Sequence, residues 1–322
     1  METLKTLLYL FIYPGFLFLF LYSTFCEWVD RKFYARVQNR IGPLYTGPRG
    51  MLQPIADFIK LMAKEDIIPE KADKGMFSAL PVFSLAVVAT AAMYLPVWHY
   101  EAWPTFNSFP GDLIVVLFLL SLPTLAFFLA GWHSTNLFSI VGGVRVLTML
   151  FGYEVPLFLA VLSPAILAGS WRLLEITHYY QQNPLLLLVN IIGFFVALIA
   201  LQAKLERVPF DVPHAETEIV GGTFTEYSGK KLAFFRLLSD IEMVVGAGLI
   251  AAVFLGGFPG GLIMGFILFI IKTLIVILLL SLIRALCARI RIDQVVSFSW
   301  RYLAPLAVLQ LLIVIIVKYI IL

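Results

Sequence analysis

Charge is scarce in this sequence. Lys, Arg, Asp and Glu make up 13% of its 322 residues and hydrophobic residues 61%, whereas a soluble domain is roughly 25% charged. An ordinary soluble domain is thereby excluded. The net charge of +3 gives no reason to expect a nucleic-acid partner. Cysteine is scarcer still: Cys26 and Cys287 both lie in apolar surroundings, with no CxxC or Cys/His cluster. No iron–sulfur or zinc site can be built from such a chain alone, so no metal ligands are expected. Phosphate-cradling glycine loops, HExxH and Ser/His/Asp patterns are also missing, which excludes a freestanding enzyme of those kinds. The N-terminal apolar run continues to about Phe25, too long for a cleavable signal, and no small-residue cleavage site follows it.

What is present is apolar sequence in long continuous runs. Runs of about 20 residues mark membrane helices, whereas a barrel shows alternating segments of about ten. Eight spans are expected, near 4–26, 78–97, 112–130, 151–171, 184–203, 232–256, 260–283 and 300–321. The basic residues test this count. Arg31, Lys32, Arg36, Arg40, Arg49, Lys60, Lys64, Lys71 and Lys74 fall in the first connection, Arg145 in the third, Lys204, Arg207, Lys230 and Lys231 in the fifth, and Arg284, Arg289, Arg291 and Arg301 in the seventh. The even connections hold Arg172 alone. The positive-inside rule then places the odd connections in the cytoplasm and both termini outside. The expected fold is an all-α polytopic membrane protein, one domain over 1–322, in the cell membrane. Its cytoplasmic segments would be 30–75, 131–150, 204–231 and 284–300. Within the first, MLQPIADFIKLMAKE patterns as an amphipathic helix, with Leu52, Ile55, Phe58, Ile59 and Met62 on one face and Asp57, Lys60 and Lys64 largely opposite.

Carboxylates inside spans are costly and rarely idle. Glu154 stands one turn into the fourth span, and Asp240 and Glu242 stand in the sixth. Glu154 is read either as an interfacial residue paired with a neighbouring base or as a proton-transfer group. Asp240 and Glu242 project about 200° apart on a helix, so only one is expected to face the protein interior. The segment 204–231 carries Glu206, Asp211, Glu216, Glu218 and Glu226 among Phe210, Ile219, Val220, Phe224 and Tyr227. Its PFDVP stretch is stiff, because each proline fixes its own φ and extends its predecessor. Packed, mutually close carboxylates have coupled pKa values and can relay protons.

These motifs resemble, over residues 25–315, the membrane subunit of respiratory complex I known as NADH dehydrogenase subunit 1, called the H subunit in bacteria. DRKFYARVQNRIGP resembles that family's ERKxxGxxQxRxGP, and TGPRGMLQPIADFIKLMAKEDIIP its GPxGLLQPxADxxKLxxKEDxxP. GWHSTN, GYEVP, RVPFDVPHAETEIVGGTFTEYSG and RALCARIRIDQVVSFSWRYLAPLA follow in the family's order. The resemblance implies a heel subunit joining a membrane arm to a cytoplasmic redox arm. It implies that Arg36, Arg40, Gln53, Asp57 and Lys60 lie near a chamber mouth. Arg207, Pro209, Phe210 and Asp211 would face the redox subunits, with Arg145 nearby. Glu154, Glu216, Glu218 and Glu226 would form a charged path, to which the carboxylates Asp211, Asp240 and Glu242, read from their places in the chain, are added. Arg284, Arg289, Arg291 and Asp293 would belong to the last cytoplasmic segment.

Departures from the family pattern are informative. Lys204 and His214 stand where the family keeps Glu, Ser239 replaces a further Glu, and Leu137 follows Asn136 where the family keeps Lys. Loss of these acids points away from quinone reduction and toward the ferredoxin-linked relatives, the membrane-bound hydrogenase or the sulfane sulfur reductase. No cofactor is expected on this chain. Iron–sulfur clusters would sit on partner subunits, and a nickel–iron centre there or a quinone are alternatives the resemblance leaves open. The implied partners are an iron–sulfur subunit, a hydrogenase-like large subunit, antiporter-like and small membrane subunits, and the lipid bilayer. The pumped ion would be a proton or sodium.

Overall fold

The computed structural model describes residues 11–12, 15–96, 109–260 and 262–321. Both extreme termini, and with them most of the first expected span before Phe16, lie outside the described residues. The described chain is all-helical: α1 Phe16–Val37, α2 Gln53–Met62, α3 Lys74–Met93, α4 Asp112–His133, α5 Leu137–Ala168, α6 Leu173–Gln182, α7 Ile191–Lys204, α8 Glu216–Ile219, α9 Gly229–Phe254, α10 Leu262–Leu286, α11 Ile292–Phe298 and α12 Ala304–Ile321. Seven helices among the described residues are long and apolar enough to cross a membrane. A 3-10 turn at Pro184–Asn190 lengthens α7 into one of them, and a π-helical turn at Ser299–Leu303 joins α11 to α12 in another.

The α4–α5 hairpin departs from expectation. Residues 131–150 are expected as a connection although the stretch is apolar, but only residues 134–136 break the helices there. Asn136 caps α5 by accepting the Phe138 N–H at 2.9 Å, which satisfies a donor that a helix start leaves free. Glycines then let the two backbones meet. A Cβ on Gly131 would stand 2.4 Å from the Ser139 carbonyl oxygen, and one on Gly143 2.9 Å from that of Phe128. Arg145 is therefore a helix residue. The segment 284–300 is likewise mostly helical: α10 runs to Leu286 and α11 begins at Ile292.

At the centre stands α9, whose most apolar stretch is 89% buried. It packs on α1, α3 and α10, and on α2 and α7. Small residues allow this, since a Cβ on Gly246 would meet Leu201 at 2.5 Å, and close backbone approach is how membrane helices associate. Because α9 has neighbours all round, Asp240 and Glu242 both face protein rather than one of them facing lipid.

The amphipathic α2 also docks differently from its pattern. Pro54 and Leu61 are buried, and Phe58 meets the Phe20 ring edge-on at 5.3 Å. Asp57, on the polar face by periodicity, turns inward to Arg31. Leu52 and Ile59, on the apolar face, are left exposed.

Candidate functional site

Polar side chains gather at the end of the bundle that carries the basic connections. Glu27, Asp30 and Arg31 fall three and four residues apart on α1, so all lie toward one face. Arg31 bridges Glu27 at 2.6 Å and Asp57 of α2 at 2.8 Å. Arg207, just past α7, reaches Glu27 at 3.3 Å and Asp30 at 3.1 Å. Arg284 of α10 reaches Asp30 at 2.9 Å and stacks on the Tyr34 ring, while Ser281 donates to the same carboxylate. Asp30 is fully buried. A buried carboxylate persists as an ion only when paired and hydrogen-bonded, and Asp30 has two guanidiniums and a hydroxyl.

Beside this cluster lies a small cavity, about 30 Å³, walled by Thr24, Arg31, Asp57, Phe58, Arg236 and Asp240. That is room for about one water. Four carboxylates, of Glu27, Asp30, Asp57 and Asp240, gather here with the guanidiniums of Arg31, Arg207, Arg236 and Arg284. Burial works against ionisation of Asp57, but hydrogen bonds from Arg31 and Gln53 outweigh it and hold the carboxyl below its usual range.

Lys204 and His214 each form a further pair. Lys204 Nζ meets Glu242 Oε1 at 2.7 Å, with side chains 2% and 3% exposed, and also donates to the Leu120 carbonyl. Thr124 and Tyr153 share a hydrogen bond of 2.9 Å in the buried core of α4 and α5. His214 Nε2 meets Glu206 Oε2 at 2.5 Å and its ring stacks on Phe224. Burial disfavours the imidazolium, but the Glu206 charge wins and raises the His214 pKa above its ordinary value.

The 204–231 connection is fastened at its rim. Arg145 bridges Glu218 at 2.6 Å and donates to the Val212 carbonyl. The hydrogen bond from Arg145 and its charge hold the Glu218 pKa below its ordinary value. Arg289 meets Asp211 at 3.2 Å and donates to its carbonyl, and Ile290 N–H donates to Pro209 O at 3.2 Å. Pro209 and Phe210 are buried, Asn136 donates to Glu226, and Lys231 bridges Asp66 at 2.5 Å. Gly222 sits at φ 56° where a Cβ would strike the Pro213 carbonyl oxygen at 1.8 Å, so the chain closes on itself there.

Several expected residues fall outside this network. Glu154 is half-buried at the outward edge of α5, flanked by exposed Phe151 and Val155. Glu216, Asp293 and Arg291 are exposed, as are Lys60 and Arg40. Arg36 is exposed on a different face of α1 from Arg31. Conversely, Glu27 lies outside both the expected spans and the family motifs, Arg236 falls in the sixth span and Asp30 opens the DRKFYARVQNRIGP motif without either being singled out there as a site residue, and nothing in the sequence pairs Glu206 with His214. The spacing of Glu27, Asp30 and Arg31 is a usable signal: three ionisable residues on one helical face at the end of an apolar run.

Comparison with known proteins agrees with this architecture. The family model described as NADH dehydrogenase matches residues 10–315. The H subunit of NADH-quinone oxidoreductase from Dehalococcoides mccartyi is 38% identical over 286 residues, covering 89% of this chain and 80% of the relative. The corresponding subunit of Carboxydothermus hydrogenoformans is 37% identical over 304 residues, covering 92% and 85%. Among solved structures, a chain of the membrane-bound sulfane sulfur reductase, an archaeal respiratory membrane complex, superposes with a TM-score of 0.79 at 27% identity, covering 92% of this chain and 97% of that one. With the family model matching almost its whole length, the chain belongs to the NADH dehydrogenase family and is a membrane subunit of the H type.

Proposed function

We propose that this chain is the non-redox heel of an energy-converting oxidoreductase and couples electron transfer in attached iron–sulfur subunits to proton or sodium movement through neighbouring membrane subunits. The observation that carries the reading is Arg207. It leaves the 204–231 connection and inserts its guanidinium between Glu27 and Asp30 of α1. Asp211 and Glu218, in the same connection, are tied to Arg289, just past α10, and to Arg145 of α5. A redox subunit that shifts this connection would thus move three sets of salt bridges and change the charge felt by Asp240, which lies against Glu27. Glu154, at the outward edge of α5, would hand the change to a neighbouring subunit. Moving one charge against about 150 mV costs roughly 3.5 kcal/mol, the size of a carboxylate pKa change of about two to three units.

Of the electron-acceptor branches, a ferredoxin-linked sulfane sulfur reductase or hydrogenase is favoured. The Lys204–Glu242 and Glu206–His214 pairs neutralise positions where quinone-linked relatives keep acids, and the similarity to the archaeal complex supports the same branch. The second reading, a quinone-chamber subunit, has in its favour the names of the bacterial relatives. The test is the purified complex in sealed vesicles, supplied with reduced ferredoxin and in turn with polysulfide, protons alone or a quinone. The favoured reading expects ion uptake with one of the first two acceptors. D211N/E218Q should assemble and transfer electrons yet move fewer ions per electron. An unchanged ratio would leave the chain a structural anchor only.

A further inference from the structure

The basic residues of α1 divide into two faces with different fates. Arg31 is neutralised by Glu27 and Asp57. On another face of the same helix, Trp28, Lys32 and Arg36 line an open groove of about 680 Å³, completed by Leu44 and Arg49 of the following loop and Leu278 of α10. No carboxylate among the described residues lines this groove. The loop is fastened over it: Lys32 Nζ donates to the Pro43 carbonyl at 2.7 Å, and the Trp28 indole N–H donates to the Arg49 carbonyl at 3.3 Å. Those bonds consume backbone acceptors and leave the Lys32 charge uncompensated. Arg36 and Arg49 are exposed beside it. Three cations therefore converge on one hollow, whereas the guanidiniums of the neighbouring α1–α2–α9 cleft face acids.

The groove opens onto apolar surface. Ile267, Ile271 and Ile275 of α10 are exposed and lie on one stripe with Leu278, and Leu17 and Leu21 of α1 are exposed on the adjoining helix. From residue 278 to 267 the helix descends about 16 Å at about 1.5 Å per residue. That is roughly one leaflet of a hydrocarbon core about 30 Å thick. A cationic hollow at the interface above an apolar track of leaflet depth complements one kind of molecule.

We propose that this groove binds an anionic phospholipid, its phosphate among Lys32, Arg36 and Arg49 and its acyl chains along the α1–α10 stripe. The site is separate from the charged cleft and does not depend on the coupling reading above. A basic residue near an anionic headgroup contributes a factor of about five in affinity. The test uses the intact complex, delipidated and then incubated with phosphatidylglycerol or phosphatidylcholine, with retained lipids counted by native mass spectrometry and the unfolding temperature followed. Phosphatidylglycerol is expected to be retained and to raise the unfolding temperature, and phosphatidylcholine and inorganic phosphate are not. R36Q/R49Q should weaken phosphatidylglycerol retention by more than about tenfold, and K71Q/K74Q, exposed elsewhere, should leave it unchanged. On the unmutated complex, phosphatidylglycerol with a photoreactive acyl chain should crosslink to peptides spanning 17–28 or 267–278. Equal retention of both lipids, the same stabilisation by inorganic phosphate, or crosslinks elsewhere would overturn the proposal.

Discussion

The ammonium of Lys204 and the carboxylate of Glu242 meet at 2.7 Å with both side chains almost wholly buried. Two ions taken out of water this way hold each other in place, and removing one strands the other, at a cost of about 3–5 kcal/mol. K204Q and E242Q are each expected to lower the unfolding temperature of the purified complex sharply. K204M/E242L, which removes both charges and keeps the volume, should recover most of the loss; double-variant unfolding temperatures no better than the singles would show that the pair is held by something other than mutual charge. The His214–Glu206 pair has a pH signature of definite sign. His214 titrates above its ordinary value when folded, so the pair's contribution is complete below about 6.5 and is lost as pH rises through the folded pKa. Hydrogen exchange of residues 206–222 should therefore quicken as pH is raised above neutral, after correction for intrinsic exchange. E206Q should remove that dependence. Asp57 has the opposite sign: held low by Arg31 and Gln53, it loses its contribution as pH falls below the ordinary carboxylate range.

At the scale of the element, the α4–α5 hairpin and the 204–231 connection interlock through glycines. A Cβ on Gly142 would lie 2.6 Å from the Thr223 nitrogen and 2.8 Å from the Gly222 carbonyl carbon, backbone atoms that have no rotamer to escape into. G142A is expected to push the connection off the hairpin, which limited proteolysis between residues 215 and 227 would detect as faster cleavage. G75A serves as the control, because a Cβ there meets only the Asp73 carboxylate at 3.4 Å. The π-helical turn at Ser299–Leu303 makes a related contact: Gly152 of α5 lies against Ser299, where a Cβ would sit 3.4 Å from its Oγ. Such turns interrupt the helical ladder and recur at functional sites, and the glycine that receives this one stands two residues before Glu154.

Over the whole molecule, Arg207 ties the connection between α7 and α9 to α1, and through Asp30 to α10. R207Q removes the only cation bonded to both Glu27 and Asp30 among the described residues. It should reduce ions moved per electron in vesicles more than it reduces electron transfer. E154Q should do the same without destabilising the cluster, since Glu154 lies outside it. Equal losses of electron transfer and ion movement in R207Q would place the residue in assembly rather than coupling.

Composition and periodicity determined that this chain is a helical membrane protein, because runs of about 20 apolar residues have no other stable solution in lipid. They also placed most helices to within a few residues, and the ordered motifs carried the family. What they could not determine was partnership. The 131–150 segment reads as a connection although it is apolar; its helix is decided by Asn136 and by glycines whose purpose appears only when α4 lies alongside. Asp57 reads as solvent-facing by α2's own periodicity, and turns inward because Arg31 on another helix offers it a better partner than water. Lys204 and His214 read as lost acids, whereas folding gives each a buried carboxylate from another turn of the chain. A one-dimensional pattern reports the face a helix presents, and only the packed bundle decides which charge is waiting there.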